Sequence, residues 1–534
     1  MINKYKYLKL ANIVLKIFVN IYYSCKYLLT EKYIFMTMVN ANRDIIVKNE
    51  IFDILQKVKV LILILLFFSC KNCDLIETYE KIKDSKEENN NTKEETQGTN
   101  MLKKNGFVDK IKIVNEGEEP ENFIKKVLVV STIEYNRLEN VLDRLIVYFK
   151  NENIKLEFYI VQEIYQGEKP TNVKYENYIF TSDSGDPQEL NRIVTEVSKW
   201  GTSFDYNIQT DEFAIDILGY INSKLNLKGL KIEDTLKFRD KVIMKKNLNK
   251  DVKKPKLYSL ENINNDNVIY PVILKPRCFA GSRGVEIVKN KEDLLKKLET
   301  LKLDYSRASD FDLGEEDVEV EEYINAPICH IDGIVFNNEI RFCICSQYIN
   351  TCFEYTNGKI LGSKKGTEIQ QLKALEFANK VNNSLRLPNG VFHLEAFWEN
   401  DDFTFLEIGM RPGGAEIVPA IELATGINLS NEHVKCQIGL EPTMAKEGYK
   451  YFGWLNFPCK LNNDKELHIK SIELGNKDLE TLKIKNIPNI GERGDVYFTN
   501  YSKNIGSFVF ASNDEKQMEN DMKYIIENYK ITFE

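Results

Sequence analysis

Glu395 and Glu407 sit in two neighbouring apolar stretches, residues 391–398 (VFHLEAFW) and 403–408 (FTFLEI), joined across Asn400-Asp401-Asp402. A hairpin of the two would set the carboxylates side by side. Adjacent carboxylates among apolar residues repel each other. Mg2+, which takes hard oxygen ligands and shares them with phosphates, relieves that repulsion. Gly409-Met410-Arg411-Pro412-Gly413-Gly414 follows at once. Arg411 there can grip a phosphate through two parallel hydrogen bonds. Upstream, Ile273-Leu274-Lys275-Pro276-Arg277 runs into Ala280-Gly281-Ser282-Arg283-Gly284-Val285. A lysine at the mouth of an apolar strand is costly unless it meets an anion. Gly281 and Gly284 let backbone N–H groups close on a phosphate, although hairpins use such glycines too. The pattern of a P-loop is absent.

Two more groups share this part of the chain. Arg239-Asp240-Lys241, followed by Met244-Lys245, reads most simply as a solvated basic helix face. Val318-Glu319-Val320-Glu321-Glu322-Tyr323-Ile324 is an alternating strand with carboxylates on it, and a charged outer face explains it equally well. His330-Ile331-Asp332-Gly333 comes next.

Lysines, a glycine loop, a hinge and paired glutamates in this order resemble the ATP-grasp superfamily, most closely the carboxylate–amine ligases of the L-amino-acid ligase type. The resemblance covers residues 125–534 and is strongest over 237–429. It implies that Lys241 and Lys275 bind the nucleotide phosphates and that the 280–285 loop, with Gly281, Ser282, Arg283 and Gly284, closes over them. It implies an adenine hinge at Glu321, Glu322, Tyr323 and Ile324, and His330 and Asp332 near the ribose. Glu395 and Glu407 would hold Mg2+, with Mn2+ as a substitute. Arg411 and Arg283 would be the catalytic arginines, Arg411 steadying an acyl-phosphate. The chain departs from the pattern at Gly409, where relatives carry Asn, and at Ile328, where they often carry Glu.

The implied reaction joins a carboxylate to an amine, each from an amino acid or short peptide, at the expense of ATP. A carboxylase-type ligase using bicarbonate is the alternative enzyme. A catalytically weak, tethered nucleotide- or ligand-binding protein is the alternative of another class. Similar ligases form homodimers. Cys343 and Cys345 share a strand face near Cys352 and read as buried thiols rather than a redox pair.

The frame that must hold these residues is ordinary for a globular protein. Of 534 residues, 43% are hydrophobic and 28% charged, and the net charge is -8. That balance excludes a dedicated nucleic-acid binder. With 4 His in all, a His-rich metal site or a Ser-His-Asp hydrolase has few residues to draw on.

The fold class is α/β with α+β: a βαβ domain before the grasp, a two-lobed nucleotide module and a small β-rich C-terminal domain. Apolar runs near 127–130, 158–161, 178–180 and 206–208 alternate with helical spacing at 136–148, 187–198 and 211–225, which predicts a parallel sheet. In the last helix Phe213, Ile217, Leu218, Ile221 and Leu225 should face inward. The boundaries are 101–236, 237–445 and 446–534.

Residues 1–100 read as a leader and polar tether. The run at 60–68 (VLILILLFF) is too short to span a bilayer and matches a signal h-region. Cys70 closes a loose lipobox, which would give a membrane-anchored lipoprotein. A misplaced start, with Met101 opening a cytoplasmic protein, is the simpler reading.

Overall fold

The computed structural model describes residues 123–534, apart from 150–153, 165–166, 202, 261–262, 264–266, 305–317, 459–467 and 493–503. The leader, its apolar run, Cys70 and Met101 lie outside the described residues. Among the described residues no helix is long and apolar enough to cross a membrane.

The first sheet is parallel, in the order β3-β2-β1-β4. Its strands are β1 (Phe123–Ser131), β2 (Ile154–Glu163), β3 (Tyr178–Thr181) and β4 (Tyr206–Gln209). The helices α1 (Tyr135–Phe149), α2 (Pro187–Lys199) and α3 (Ala214–Lys224) follow β1, β3 and β4. β1 is apolar without interruption because both its faces are covered. Val127 and Val129 pack with Leu138 and Leu142 of α1, while Leu128 and Val130 pack with Ile193 of α2 and Ile217 of α3. Phe213 departs from the expectation. It is 47% exposed at the N-cap of α3 and lies 4.8 Å from the Arg239 guanidinium, ring face to cation.

Short α4 (Ile232–Thr235) and a 3-10 turn lead to α5 (Lys241–Asn247). Asp240 caps α5 by accepting from the backbone N–H groups of Val242 and Ile243. A small antiparallel sheet comes next, in the order β5-β8-β6-β7. It holds β5 (Leu257–Tyr258), β6 (Val272–Pro276), β7 (Glu286–Val288) and β8 (Val318–Glu322), with α6 (Lys291–Asp304) after β7.

The largest sheet has eight strands in the order β13-β12-β9-β10-β11-β14-β17-β16. Its first part holds β9 (Ile328–Phe336), β10 (Glu339–Asn350), β11 (Leu361–Lys365), β12 (Gly390–Glu399) and β13 (Asp402–Gly409). Between them run α7 (Cys352–Thr356) and α8 (Glu368–Leu385). Asn337 and Asn338 take φ of +53° and +65°, and Asn400 and Asp401 take +52° and +56°. These are two-residue turns of the type that matches strand twist. Asp402 therefore belongs to β13, not to the turn.

Two helices follow the hairpin, α9 (Ile417–Thr425) and α10 (Leu429–Gln437), separated at Gly426 with φ +70°. β14 (Tyr451–Asn456) pairs with β11, and β17 (Ser507–Ser512) with β14, so the sheet continues across residues 445 and 446. β15 (Ile469–Glu473), β16 (Leu482–Asn486), α11 (Glu515–Asn528) and β18 (Lys530–Phe533) complete the chain. Helix α8 covers one face of the large sheet through Phe377 and Val381, and α9 the other through Ala420 and Ile421.

His433 on α10 is buried, and its Nδ1 accepts a hydrogen bond from the Val391 N–H at 2.9 Å. Burial pushes its imidazole down to about 3. The folded chain thus refuses a proton that the unfolded chain takes up below its ordinary value of 6.5. His433 costs nothing above that pH and removes about 1.4 kcal/mol of stability per pH unit as the pH falls from there towards the folded value. His433→Gln should flatten the acid limb of a stability–pH curve by about one proton. Denaturant unfolding between pH 7 and pH 4 checks this.

Candidate active site

The register of the β12–β13 hairpin places Glu395 directly opposite Glu407. Both line a cleft of about 1800 Å³, with Arg411 and the 278–283 loop on its wall. Another part of the wall comes from Thr132, Glu163 and Thr210–Glu212 at the carboxyl ends of β1, β2 and β4. The strand order reverses between β1 and β4, and such switch points are where open parallel sheets bind ligands. Thr132 fixes the lip there, giving its N–H and hydroxyl to the two oxygens of Asp211 at 2.8 and 2.6 Å.

Each glutamate is held from one side. The Tyr348 hydroxyl donates to Glu395 Oε1 at 2.7 Å, and His393 Nε2 stands 3.5 Å from the same oxygen. Lys241 Nζ lies 3.3 Å from Glu407 Oε2 and donates to the Phe279 carbonyl at the foot of the glycine loop. Two hard carboxylates facing each other across a hairpin, each steadied at one oxygen, suit Mg2+. Tyr348→Phe removes the steadying bond of Glu395 and should weaken the apparent Mg2+ affinity about 10- to 100-fold. Titrating metal against turnover reads it.

His330 and Asp332, which the resemblance sets near the ribose, are not among the cleft-lining residues. They are 1% and 0% exposed on β9, where His330 neighbours Glu395 and Asp332 neighbours His393. Asp332 accepts from His330 Nδ1 at 2.6 Å and from His393 Nδ1 at 2.8 Å, and His330 Nε2 meets the Ser363 hydroxyl at 2.8 Å. The three groups are close enough together to hold a metal ion. Both imidazoles already sit at hydrogen-bond distance from the carboxylate, so the arrangement shares protons. Burial alone would push His393 down, but the Asp332 carboxylate outweighs it and lifts the imidazole to about 9. A cationic His393 presents its Nε2–H to Glu395. Gly413 is small for a related reason, since a Cβ there would lie 2.8 Å from Asp332 Oδ1.

The basic helix α5 is not a solvated face. Lys245 is fully buried, 2.8 Å from Glu319 and 2.9 Å from Glu321, and Lys275 lies 2.5 Å from Glu321 and 3.4 Å from Glu319. Glu319 and Glu321 of β8 therefore point inward, and the charged-outer-face reading fails for both, while Glu322 stays exposed. Burial would raise the Glu321 carboxyl, but the two lysines hold it at about 2. Glu321 is engaged by lysines rather than open to a base, which leaves Glu322, Tyr323 and Ile324, at and just past the end of β8, as the accessible hinge. Lys241, Lys275 and residues 321–324 are not among the cleft-lining residues.

Gly281, Ser282 and Gly284 have φ of +65°, +56° and +72°, a tight turn in which the Arg283 N–H donates to the Ala280 carbonyl at 3.4 Å and the Val285 N–H to the Ser282 carbonyl at 3.3 Å. Arg283 lies over the Phe279 ring at 5.1 Å.

Arg411 donates from Nε to Glu212 Oε2 at 2.7 Å and from Nη1 to the Pro412 carbonyl at 2.9 Å. Glu212, Arg239, Lys245 and Tyr348 were not singled out from sequence as site residues. The only signal for Glu212 was an acid just past a strand end.

Residues 268–418 match the family model described as ATP-grasp domain. The chain carries an ATP-grasp domain. An L-arginine-specific L-amino acid ligase of Bacillus subtilis is 24% identical over 297 residues, 53% of this chain and 70% of the relative. A D-alanine–D-alanine ligase of Petrotoga mobilis is 29% identical over 170 residues, 30% of this chain and 53% of that one. The solved L-amino acid ligase of Bacillus licheniformis superposes with a TM-score of 0.58 at 15% identity, covering 77% of this chain and 99% of the other. The ATP-grasp match takes in the glycine loop, the β12–β13 hairpin and Arg411, which are parts that meet at the cleft.

Proposed function

We propose that the protein is an ATP-dependent carboxylate–amine ligase that joins amino acids or short peptides through an acyl-phosphate. The opposed pair Glu395 and Glu407, lining the same cleft as Arg411, carries this reading. The likeness to an L-amino acid ligase over 77% of the chain supports it. So does the arginine-specific relative, whose substrate is an amino acid.

In the first step a substrate carboxylate attacks the γ-phosphate of ATP and ADP leaves. In the second an amine displaces phosphate and the amide forms. Such transfers need position and charge compensation more than covalent help. Mg2+, or Mn2+, held by Glu395 and Glu407 would neutralise phosphate oxygens when bound.

Lys241, Lys275 and the amides of the 280–285 loop hold the phosphates, and Arg283 closes with that loop. Lys275 is already desolvated and charged, since burial, which would lower it, is outweighed by Glu321 and Glu319. Residues 322–324 hold the base. Arg411, its Nε and Nη1 occupied, directs the rest of its fork at the transferring group. Units 101–236, 237–445 and 446–534 contribute the lip, the nucleotide cleft and the far edge of the sheet. A homodimer in the cytoplasm, where ATP is abundant, is the setting that goes with this reading, and the mass in solution tests the assembly.

Phosphate release from Mg-ATP by the full chain, over amino acids offered singly and in pairs, is the decisive assay. Release that needs one acid and one amine supports ligation. Release with bicarbonate as the only acid points to carboxylase-type chemistry. ATP binding without release on any pair points to a ligand-binding protein, and absence of ATP binding overturns the reading.

A further inference from the structure

The contacts around Arg239 join three parts of the molecule that sequence separates. Arg239 is 5% exposed, and each of its three side-chain nitrogens donates a hydrogen bond. Nη1 meets Glu212 Oε1 at 2.7 Å, Nε meets Asp216 Oδ2 at 2.9 Å, and Nη2 meets the Cys278 carbonyl at 2.7 Å. The Phe213 ring stacks on its face. Cys278 is the foot of the glycine loop. Glu212, on the β4 side of the cleft, spends its other oxygen on Arg411. A planar guanidinium fixed at three edges and one face moves as a body or not at all.

We propose that Glu212 is a positioning residue that ties the glycine loop, through Arg239, to the orientation of Arg411. A shift of the Cys278 carbonyl turns Arg239, and Glu212 passes the turn to the Arg411 fork. The two arginines need one acid between them, because a carboxylate with two oxygens can take one from each. Charge agrees with the geometry. Burial would raise the Glu212 carboxyl, yet Arg411 and Arg239 hold it at about 2, so it bridges as an anion throughout the physiological range. A second acid, Asp216, serves Arg239 alone. Glu212 is therefore the joint and Asp216 the anchor.

The Arg411 half of this proposal rests on the ligase reading; the loop half does not. Two arms separate them. In the first, turnover is measured for Glu212→Gln, Glu212→Asp, Arg411→Lys and the double variant Glu212→Gln/Arg411→Lys. A misplaced catalytic arginine should lower kcat about 100-fold with the KM for ATP nearly unchanged. Glu212→Asp keeps the charge but is too short to reach both arginines, so it should not rescue. The double variant should be within about 2-fold of Arg411→Lys alone, since the effects act through one group. A kcat that survives while unfolding shifts, or effects that multiply, overturns the coupling.

In the second arm, trypsin cleavage after Arg283 is timed in the full chain without substrates. Glu212→Gln and Glu212→Asp should each speed that cut several-fold relative to the other tryptic sites. A rate that moves only in step with the other sites overturns the link to the loop. If the wild-type chain turns over no pair, the ligase reading fails and this second arm still decides the loop half.

Discussion

Glu407→Gln will drop ATP-dependent phosphate release by on the order of 100- to 1,000-fold while the fold survives. The amide keeps the shape of the side chain and one acceptor oxygen but loses the charge. Without that charge the pair with Glu395 no longer repels, and the drive to bind a divalent cation falls with it. A catalytic metal contributes several kcal/mol of charge compensation to phosphoryl transfer. Stability should change little. The side chain of Glu407 is 29% exposed and its one ion pair is with Lys241 at 3.3 Å, an interaction of at most about 1 kcal/mol after solvent screening. Unchanged turnover with unchanged Mg2+ dependence would remove Glu407 from the site.

Lys245→Met has its expected effect on stability instead. The four buried groups Lys245, Lys275, Glu319 and Glu321 balance two charges against two. Removing Lys245 leaves an uncompensated carboxylate out of reach of water, which costs about 3–5 kcal/mol. Removing a whole pair is different. Lys245→Met with Glu319→Leu restores neutrality and should recover most of the loss, because apolar replacements of buried ion pairs are often neutral. Urea unfolding of the single and double variants measures both. A single variant as stable as the wild type would mean that water reaches the cluster.

Much of the site was legible because a hairpin is a local event. The turn at Asn400-Asp401 sets the register from Glu399–Asp402 to Ala396–Phe405, and a one-residue shift between Ala396 and Glu395, which the sequence does not announce, then brings Glu395 opposite Glu407. The helices after β1, β3 and β4 were legible too, because their apolar spacing is local and separates them from the fully apolar strand runs. What the sequence hid is long-range. Arg411 finds Glu212 across 199 positions. Lys245 and the carboxylates of β8 lie 74 positions apart in the closest case, and each alone looks like a surface charge. Burial reverses their meaning, and burial is decided by α5 and two strands meeting. The link of His330 and Asp332 to His393 was hidden for the same reason, since β9 and β12 come together only in the folded sheet.

Helix α10 lends Val434 and Ile438 to the same apolar cluster as Val127, Leu138 and Leu142 of the parallel sheet. Part of the cover on the α1 side of that sheet is thus encoded far beyond β4, at 434 and 438. On the ribosome β1 to β4 would emerge long before α10, with that part of the flank bare. An excised fragment ending at 236 would carry the same bare flank for good. Such a fragment should be sticky and poorly folded however regular its strand–helix alternation looks, and the nascent protein would need a chaperone, or the speed of its own synthesis, to bridge the wait.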